Sequence, residues 1–368
     1  MFPGQGKGAP LGGGRPPWRR PMPYNGGMTE LTLVLPFALP PDELAADLVR
    51  VLKAPNLAAL LSRSARFSRR SDDGFARSLP HERLLAHALG LAGSDHAGLP
   101  FAAAVMRGYG LDPGSDSWLI VHPAHIEIAR THLLMGDARR LGLVESHARA
   151  LYDSARPYFD EDGHTLLYGD ALTWFMRAGD WATLDTASPD ATGGMNLTDS
   201  MPQGACALAY RKLQNEVQML WHDHPANAER EARGLPAING FWPWGAAAAA
   251  PAPAGAMAFA SANAPPWMAA LGPVVHGPFG PWLATPARPA GFVEASLIGP
   301  ALGGDWADWL VQMGRIDTEL LAPALAAVKG GLTLRLVLSH RSALIEARVS
   351  ALSQRSFWRR HSLERLLG

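Results

Sequence analysis

Apolar positions along the chain follow two spacings, and the switches between them outline the elements. Leu31–Leu35 (LTLVL) is a short apolar run stopped by Pro36 and reads as a first strand. Behind Asp42, the residues Leu44, Leu48, Val51 and Leu52 recur at helical spacing. Ala54-Pro55-Asn56-Leu57 breaks that helix, and Leu57, Leu60 and Leu61 begin another. A polar stretch, Ser62–Asp73, carries no period. Helices are expected over His81–Leu91 and Pro100–Tyr109, then a buried strand at Trp118–Val121 (WLIV). Glu145–Tyr158 has the pattern of an amphipathic helix. Thr165–Tyr168 and Leu172–Phe175 read as strands of a second, antiparallel sheet. Gly204–Trp221 is a long helix with Tyr210, Leu213, Val217, Leu220 and Trp221 on one face, and Ala237–Trp244 is a strand. Ala246–Pro266 is rich in Ala and Pro and reads as a linker. Order resumes with helices at Trp306–Met313 and Thr318–Val328, the second stopped by Lys329-Gly330-Gly331. Leu332, Leu334, Leu336 and Leu338 then alternate with polar residues as in a strand, and Phe357–Arg360 (FWRR) reads as a surface helix. Strands alternating with helices make the expected class α/β.

Composition narrows the choice of partners. In a chain of 368 residues, 48% are apolar, enough for a large core. The formal net charge is zero, and no long run of one sign appears. Nucleic acid is therefore not expected as an obligate partner, because phosphate binding needs a basic face. The single cysteine, Cys206, excludes an intramolecular disulfide and any CxxC motif, which fits a reducing, cytoplasmic setting. No stretch of about 20 apolar residues is free of charges and prolines, so neither a span nor a membrane partner is expected. Residues 1–27 are basic and rich in Gly and Pro and read as a disordered leader, with Met22 or Met28 as alternative starts.

The candidate chemistry is sparse. HERLLAH (His81–His87) looks like a zinc-protease helix, but its histidines are six apart instead of four and face different sides. His122 and His125 sit where a strand runs into a loop that also holds Arg130 and His132, a plausible ligand contact or a plain turn. Asp185–Asp190 (DTASPD) with Gly193-Gly194 could offer backbone N–H groups to an anion, or be only a turn. Asp305 and Asp308 in GDWADW fit a solvated helix start better than a metal pair. No phosphate-binding glycine motif or nucleophile elbow occurs. These motifs single out no catalytic residue, metal ligand or cofactor site.

Several segments, read in order, resemble the cofactor-independent phosphoglycerate mutases of archaeal type. Ala54-Pro55-Asn56-Leu57-Ala58-Ala59-Leu60 is similar to that family's early TPNLDxLA segment. His224-Pro225-Ala226-Asn227-Ala228-Glu229-Arg230, with Gly234 and Asn239, is similar to its HPxNxxR…G…N motif. Gly314-Arg315-Ile316-Asp317 and Leu336–His340 resemble its late helix and final metal-binding strand. The segments LPHER, WLIVHPAHIEIARTHLL and KLQNEVQMLWHDHPANAEREARGLPAINGFWPWG resemble more closely still the proteobacterial regulatory proteins of RpfE type. These resemblances imply an alkaline-phosphatase-like core sheet flanked by helices, built from residues 28–117 and 246–368, with 246–266 as the linker. They also imply an inserted smaller α+β substrate-type domain at 118–245, and a role in controlling pathogenicity factors.

The departures from the mutase pattern bear on activity. Two divalent metals and a serine nucleophile carry that family's phosphoryl chemistry. Where its first strand ends in Asp-Gly, this chain has Pro36-Phe37-Ala38. Where it has the serine, this chain has Pro80-His81-Glu82-Arg83, with Ser78 two residues early. Where its final strand ends in Asp-His, this chain has Ser339-His340. The expected protein is therefore a non-catalytic relative that binds a small anionic or phosphorylated ligand or a protein partner not identified by the sequence. His224, Asn227 and Arg230 are the first candidates for the ligand contact, with Asn239 and His122 next, because Arg230 can fork onto a phosphate or carboxylate. The alternatives are an active mutase or phosphatase, and an interaction module using Trp242, Trp244, Trp306 and Trp309.

Overall fold

The computed structural model describes residues 30–71, 77–91, 98–129, 132–248 and 255–367. The expected leader at 1–27 and Arg130 lie outside them. In chain order the strands are β1 (Glu30–Leu35), β2 (Arg66–Ser71), β3 (Ser117–Ala124), β4 (Ile126–Ala129), β5 (His132–Met135), β6 (Leu166–Asp170), β7 (Thr173–Arg177), β8 (Gly240–Ala248), β9 (Phe259–Ala262), β10 (Gly291–Glu294), β11 (Thr333–Ser339) and β12 (Ala343–Val349). Six of them form a central sheet in the order β2-β12-β11-β1-β10-β9. β1 pairs in parallel with β10 and β11, β10 in parallel with β9, and only β12 runs against its neighbours. Leu31, Leu33, Val34 and Leu35 of β1 are all fully buried, as a parallel strand covered on both faces requires. This mixed α/β arrangement, a mostly parallel sheet flanked by helices, fits an alkaline-phosphatase-like core.

A second, four-stranded antiparallel sheet has the order β6-β7-β3-β8 and uses the chain between Ser117 and Ala248. Its two faces serve different cores, and strand periodicity dictates which residue goes where. Trp118, Ile120, Phe175, Trp242 and Trp244 face the core shared with the central sheet. There Trp244 meets Phe101 and Trp267 at centroid distances of 6.0 and 5.0 Å. Leu119, Val121, Trp174, Met176 and Phe241 face the other way, under the helices Glu145–Glu161 and Ala207–His222. Phe241 there contacts Phe159 and Tyr210. Trp242, Trp244 and Trp309 are therefore buried core residues and offer no interface, while Trp306 is half-buried.

Several elements differ from the sequence reading. The polar stretch after Ser62 contains β2, a charged edge strand paired on one side only. The region read as a linker holds the end of β8 and all of β9, while residues 249–254 lie outside the described ones. His122 lies inside β3 and not after it, and Phe357–Arg360 forms turns and not a helix. Asp305 caps the Trp306–Ile316 helix by accepting from the Asp308 N–H at 3.0 Å, as a solvated helix start should. Among the described residues no helix is long and apolar enough to cross a membrane.

One long-range tie joins two of the segments that carry the mutase resemblance. Asp317 is buried, and its carboxylate accepts from the backbone N–H groups of Asn56 (3.2 Å) and Leu57 (2.8 Å) and from the Asn56 side chain (2.9 Å). It thereby satisfies donors at the start of the Pro55–Ser62 helix that have no partner within the helix. Asp317→Ala should cost about 2–4 kcal/mol of unfolding free energy, because it leaves those buried donors unpaired. Urea denaturation measures this, and a loss below about 0.5 kcal/mol would contradict the assignment.

Candidate functional site

Parallel α/β sheets present their functional groups at the carboxyl ends of the strands. Here the chain leaves β1 through Phe37, which has φ +56°, a left-handed conformation costly for a bulky side chain. Three contacts hold it. The Phe37 N–H donates to Ser339 Oγ at 3.4 Å, the Trp309 indole N–H donates to the Phe37 carbonyl at 2.8 Å, and Leu39 N–H donates to the Ser339 carbonyl at 3.1 Å. The buried Phe37 ring meets the imidazoles of His81 and His340 edge-on, at 5.8 and 6.1 Å between centroids. His81 Nδ1 lies 3.2 Å from Ser339 Oγ. The three segments that depart from the mutase pattern, after β1, at His81 and after β11, therefore meet at one point.

His81 and Glu82 open the Pro80–Ala88 helix, and neither is exposed to solvent. Glu82 Oε2 accepts from the Leu79 N–H at 2.7 Å and from the Ser188 hydroxyl at 2.8 Å. Its Oε1 and His81 Nε2 have no hydrogen-bond partner among the described residues. Burial, reinforced by Asp190, pushes the Glu82 carboxyl up to about 8, so it is protonated at neutral pH. Burial pushes the His81 imidazole down to about 4, only partly opposed by Asp190. Asp190 itself is buried, bound by both terminal nitrogens of Arg139 at 2.8 and 3.2 Å. Arg341 donates to the carbonyls of Ala191 (3.1 Å) and Gly193, tying the segment after β11 to this loop. DTASPD delivers Ser188 and Asp190 to the cluster.

A hydroxyl against an imidazole can be a nucleophile and its base. Ser339 and His81 are both fully buried, however, so no substrate reaches them in this conformation. The residues also do not fit a metal pair. Among the described residues no three His, Cys, Asp or Glu side chains converge to hold an ion. At the tip of β10, Glu294 is paired with Arg315 at 3.1 Å and with Asn263 at 2.8 Å.

The residues expected to touch a ligand lie elsewhere, beside the second sheet. His224 caps the Pro225–Ala232 helix, its Nδ1 accepting from the Ala226 N–H at 3.1 Å. Asn227 is buried and spends its amide on backbone: it donates to the carbonyls of Trp221 and Ile238, and accepts from the Ile238 N–H, each at 2.8 Å. Arg230 is fully buried, and its guanidinium faces carbonyls, at 2.8 and 3.0 Å from Pro236, 2.6 Å from Leu141 and 3.4 Å from Gly142. Asn239 pairs with the backbone of Ile126 twice, both at 2.7 Å. His122 hydrogen-bonds the Leu172 carbonyl and stacks on Trp244, and its Nε2 has no partner among the described residues. The first four are brought together and His122 is set apart on the inner face of β3. Asn227 and Asn239 border an open cleft of about 390 Å³ that is also lined by His125, Gln218, His222 and Glu231, and Arg230 does not line it.

No family model matches the sequence, and no curated protein matches it. Among solved structures, the PH0037 protein from Pyrococcus horikoshii superposes with a TM-score of 0.50, over 88% of this chain and 88% of its own, at 13% identity. That likeness shows a shared fold. The cofactor-independent phosphoglycerate mutase from Thermoplasma acidophilum DSM 1728 aligns over 88% of this chain and 90% of its own, at 14% identity and a TM-score of 0.42, too loose a superposition to argue from.

Two outcomes test these placements. Arg230→Ala removes the donor that three carbonyls share and leaves a cavity, so it should cost about 3–5 kcal/mol of stability with or without any ligand. A variant as stable as the parent in chemical denaturation would show that Arg230 is not a structural clamp. The buried pair sets a pH dependence. Glu82 would lose its proton near 4.5 when unfolded but near 8 when folded, so between those values the folded state holds more protons and raising the pH favours unfolding. His81 would protonate near 6.5 when unfolded but only near 4 when folded, so lowering the pH through that window also favours unfolding. The pair's contribution is therefore greatest between about 4.5 and 6.5. Glu82→Gln should remove the alkaline loss, gaining about 2–5 kcal/mol on the parent between pH 5 and 9. Parallel stability profiles for the two proteins over that range would refute the buried neutral acid.

Proposed function

We propose that this chain is a phosphoglycerate-mutase-like protein that works by binding, as a regulator, and not by phosphoryl transfer. The observation that carries this reading is Phe37. Its ring packs between His81 and His340 at the strand tips, where the resembled family keeps an Asp-Gly metal site. Its left-handed backbone is the conformation a glycine adopts freely there. The hydroxyl of Ser339 replaces the second carboxylate, and Glu82 is neutral. A site that gathers an aromatic ring, a neutral acid and a low-pKa imidazole supplies no charge to hold two dications.

The regulatory part rests on the resemblance to the RpfE-type proteins. Its occupant in this reading is a small anionic or phosphorylated ligand, or a protein surface. For a small ligand, the cleft beside Asn227 and Asn239 is the supporting feature. Asn227 and Asn239 border it, Arg230 holds the Pro236 carbonyl behind it, and in this reading His125 and His222 are the side chains that meet the occupant.

Metal analysis after incubation with Mg²⁺, Mn²⁺ and Zn²⁺, followed by dialysis, tests the non-catalytic reading together with an assay of phosphoglycerate turnover. We expect no retained metal and no turnover. About two metal ions per chain with metal-dependent turnover would overturn it.

A further inference from the structure

Most aromatic side chains here are core, but Phe357 and Trp358 are 81% and 69% exposed. They are adjacent, with ring centroids 5.3 Å apart and edge-on to each other. Leu352, one turn earlier, is 74% exposed. Arg355, Arg359, Arg360 and His361 flank the aromatic pair in sequence, all exposed, and Glu364 is the one acidic residue from Ala351 to the chain end. Arg63 and Lys329, on neighbouring elements, lie close enough to His361 to act on its charge.

The tip is not a loose end. Phe357 N–H bonds the Arg355 carbonyl (2.8 Å), and Arg359 N–H bonds the Ser356 carbonyl (3.1 Å), making successive tight turns. On one side a helix capped by Ser350 holds it. On the other, Arg359 donates to the Ser64 carbonyl (3.3 Å), Ser362 N–H donates to Ser62 Oγ (2.9 Å), and Leu366 is buried. The backbone that carries the rings is thus held on both sides, so little backbone entropy is left to lose on docking.

The geometry points to a peripheral membrane contact: the Phe357–Trp358 tip inserts into the interfacial layer of an anionic lipid bilayer while Arg355 and Arg360 lie against its headgroups. Two features select a bilayer over a protein groove or a peptide. Both rings stand largely out in solvent, 81% and 69% exposed, and a bilayer accepts such rings without a matching pocket. Trp and Phe also favour the headgroup level, and each basic residue near an anionic leaflet adds attraction. The expectation of no membrane partner came from the absence of spanning segments, and a surface contact needs none.

Sedimentation of the full chain with phosphatidylglycerol-containing vesicles and with pure phosphatidylcholine vesicles tests this. Binding should be confined to the anionic vesicles and weaken with salt. Phe357→Ser/Trp358→Ser should reduce it about tenfold or more. Arg355→Glu/Arg360→Glu should abolish it, and neither pair should change the melting temperature, because all four side chains are exposed. Brominated phosphatidylglycerol should quench tryptophan fluorescence in the parent and not in Trp358→Phe. No binding to anionic vesicles, or binding untouched by the aromatic pair, overturns the proposal. So does sedimentation velocity showing a dimer that the aromatic pair controls in the absence of vesicle binding.

Discussion

The backbone turn at Phe37 is the constraint on which the strand-tip region depends. A bulky residue in the left-handed region persists only when its surroundings over-determine it. Here Ser339 holds its N–H, Trp309 holds its carbonyl, and two imidazoles flank its ring. These contacts bring the ends of β1 and β11 and the start of the Pro80–Ala88 helix into one packed unit. They also seal it. His81, Glu82 and Ser339 are buried beside it in a medium poor in water, which is why the acid keeps its proton and the imidazole stays neutral. Packing fills the few ångströms between the strand tips, with Phe37, His81 and Ser339 all buried there.

The same distinction applies to the HPxNxxR segment. Its residue types suggest anion recognition, yet the structure spends them on architecture. Asn227 joins the end of one helix to the approach of β8, and Arg230 gathers the carbonyls of Leu141, Gly142 and Pro236. Irregular backbone packed against the second sheet carries carbonyls that water cannot reach, and a buried guanidinium with five donors is an efficient way to satisfy them. The motif's presence says more about the second sheet than about activity.

Much of the fold was legible from periodicity. Leu44, Leu48 and Val51, or Tyr210, Leu213 and Val217, mark helices because their spacing is local. Antiparallel β6 and β7 were legible for the same reason. β2 was not, because RFSRRS is a charged edge whose strand character comes from pairing with β12. Nor were β9 and β10, four residues each, whose neighbours lie far away in sequence. At the strand tips, each departure from the mutase pattern could be seen singly, but their meeting could not, since Ser339 and Phe37 are 302 positions apart. For Glu82 and Asp190 the sequence carried no signal beyond residue type. Their burial follows from where Arg139, Ser188 and Arg341 are brought by the sheet crossovers.

At the strand tips the Phe37 ring stands as a wedge between two imidazoles, and the proposed loss of metal chemistry rests on it. A crystal structure of the protein soaked in Mn²⁺, with data collected for anomalous scattering, tests it most directly. We expect Phe37 at positive φ with its ring between His81 and His340, and no anomalous peak within coordination distance of either imidazole. A manganese ion bound there, with the Phe37 ring displaced, would contradict it.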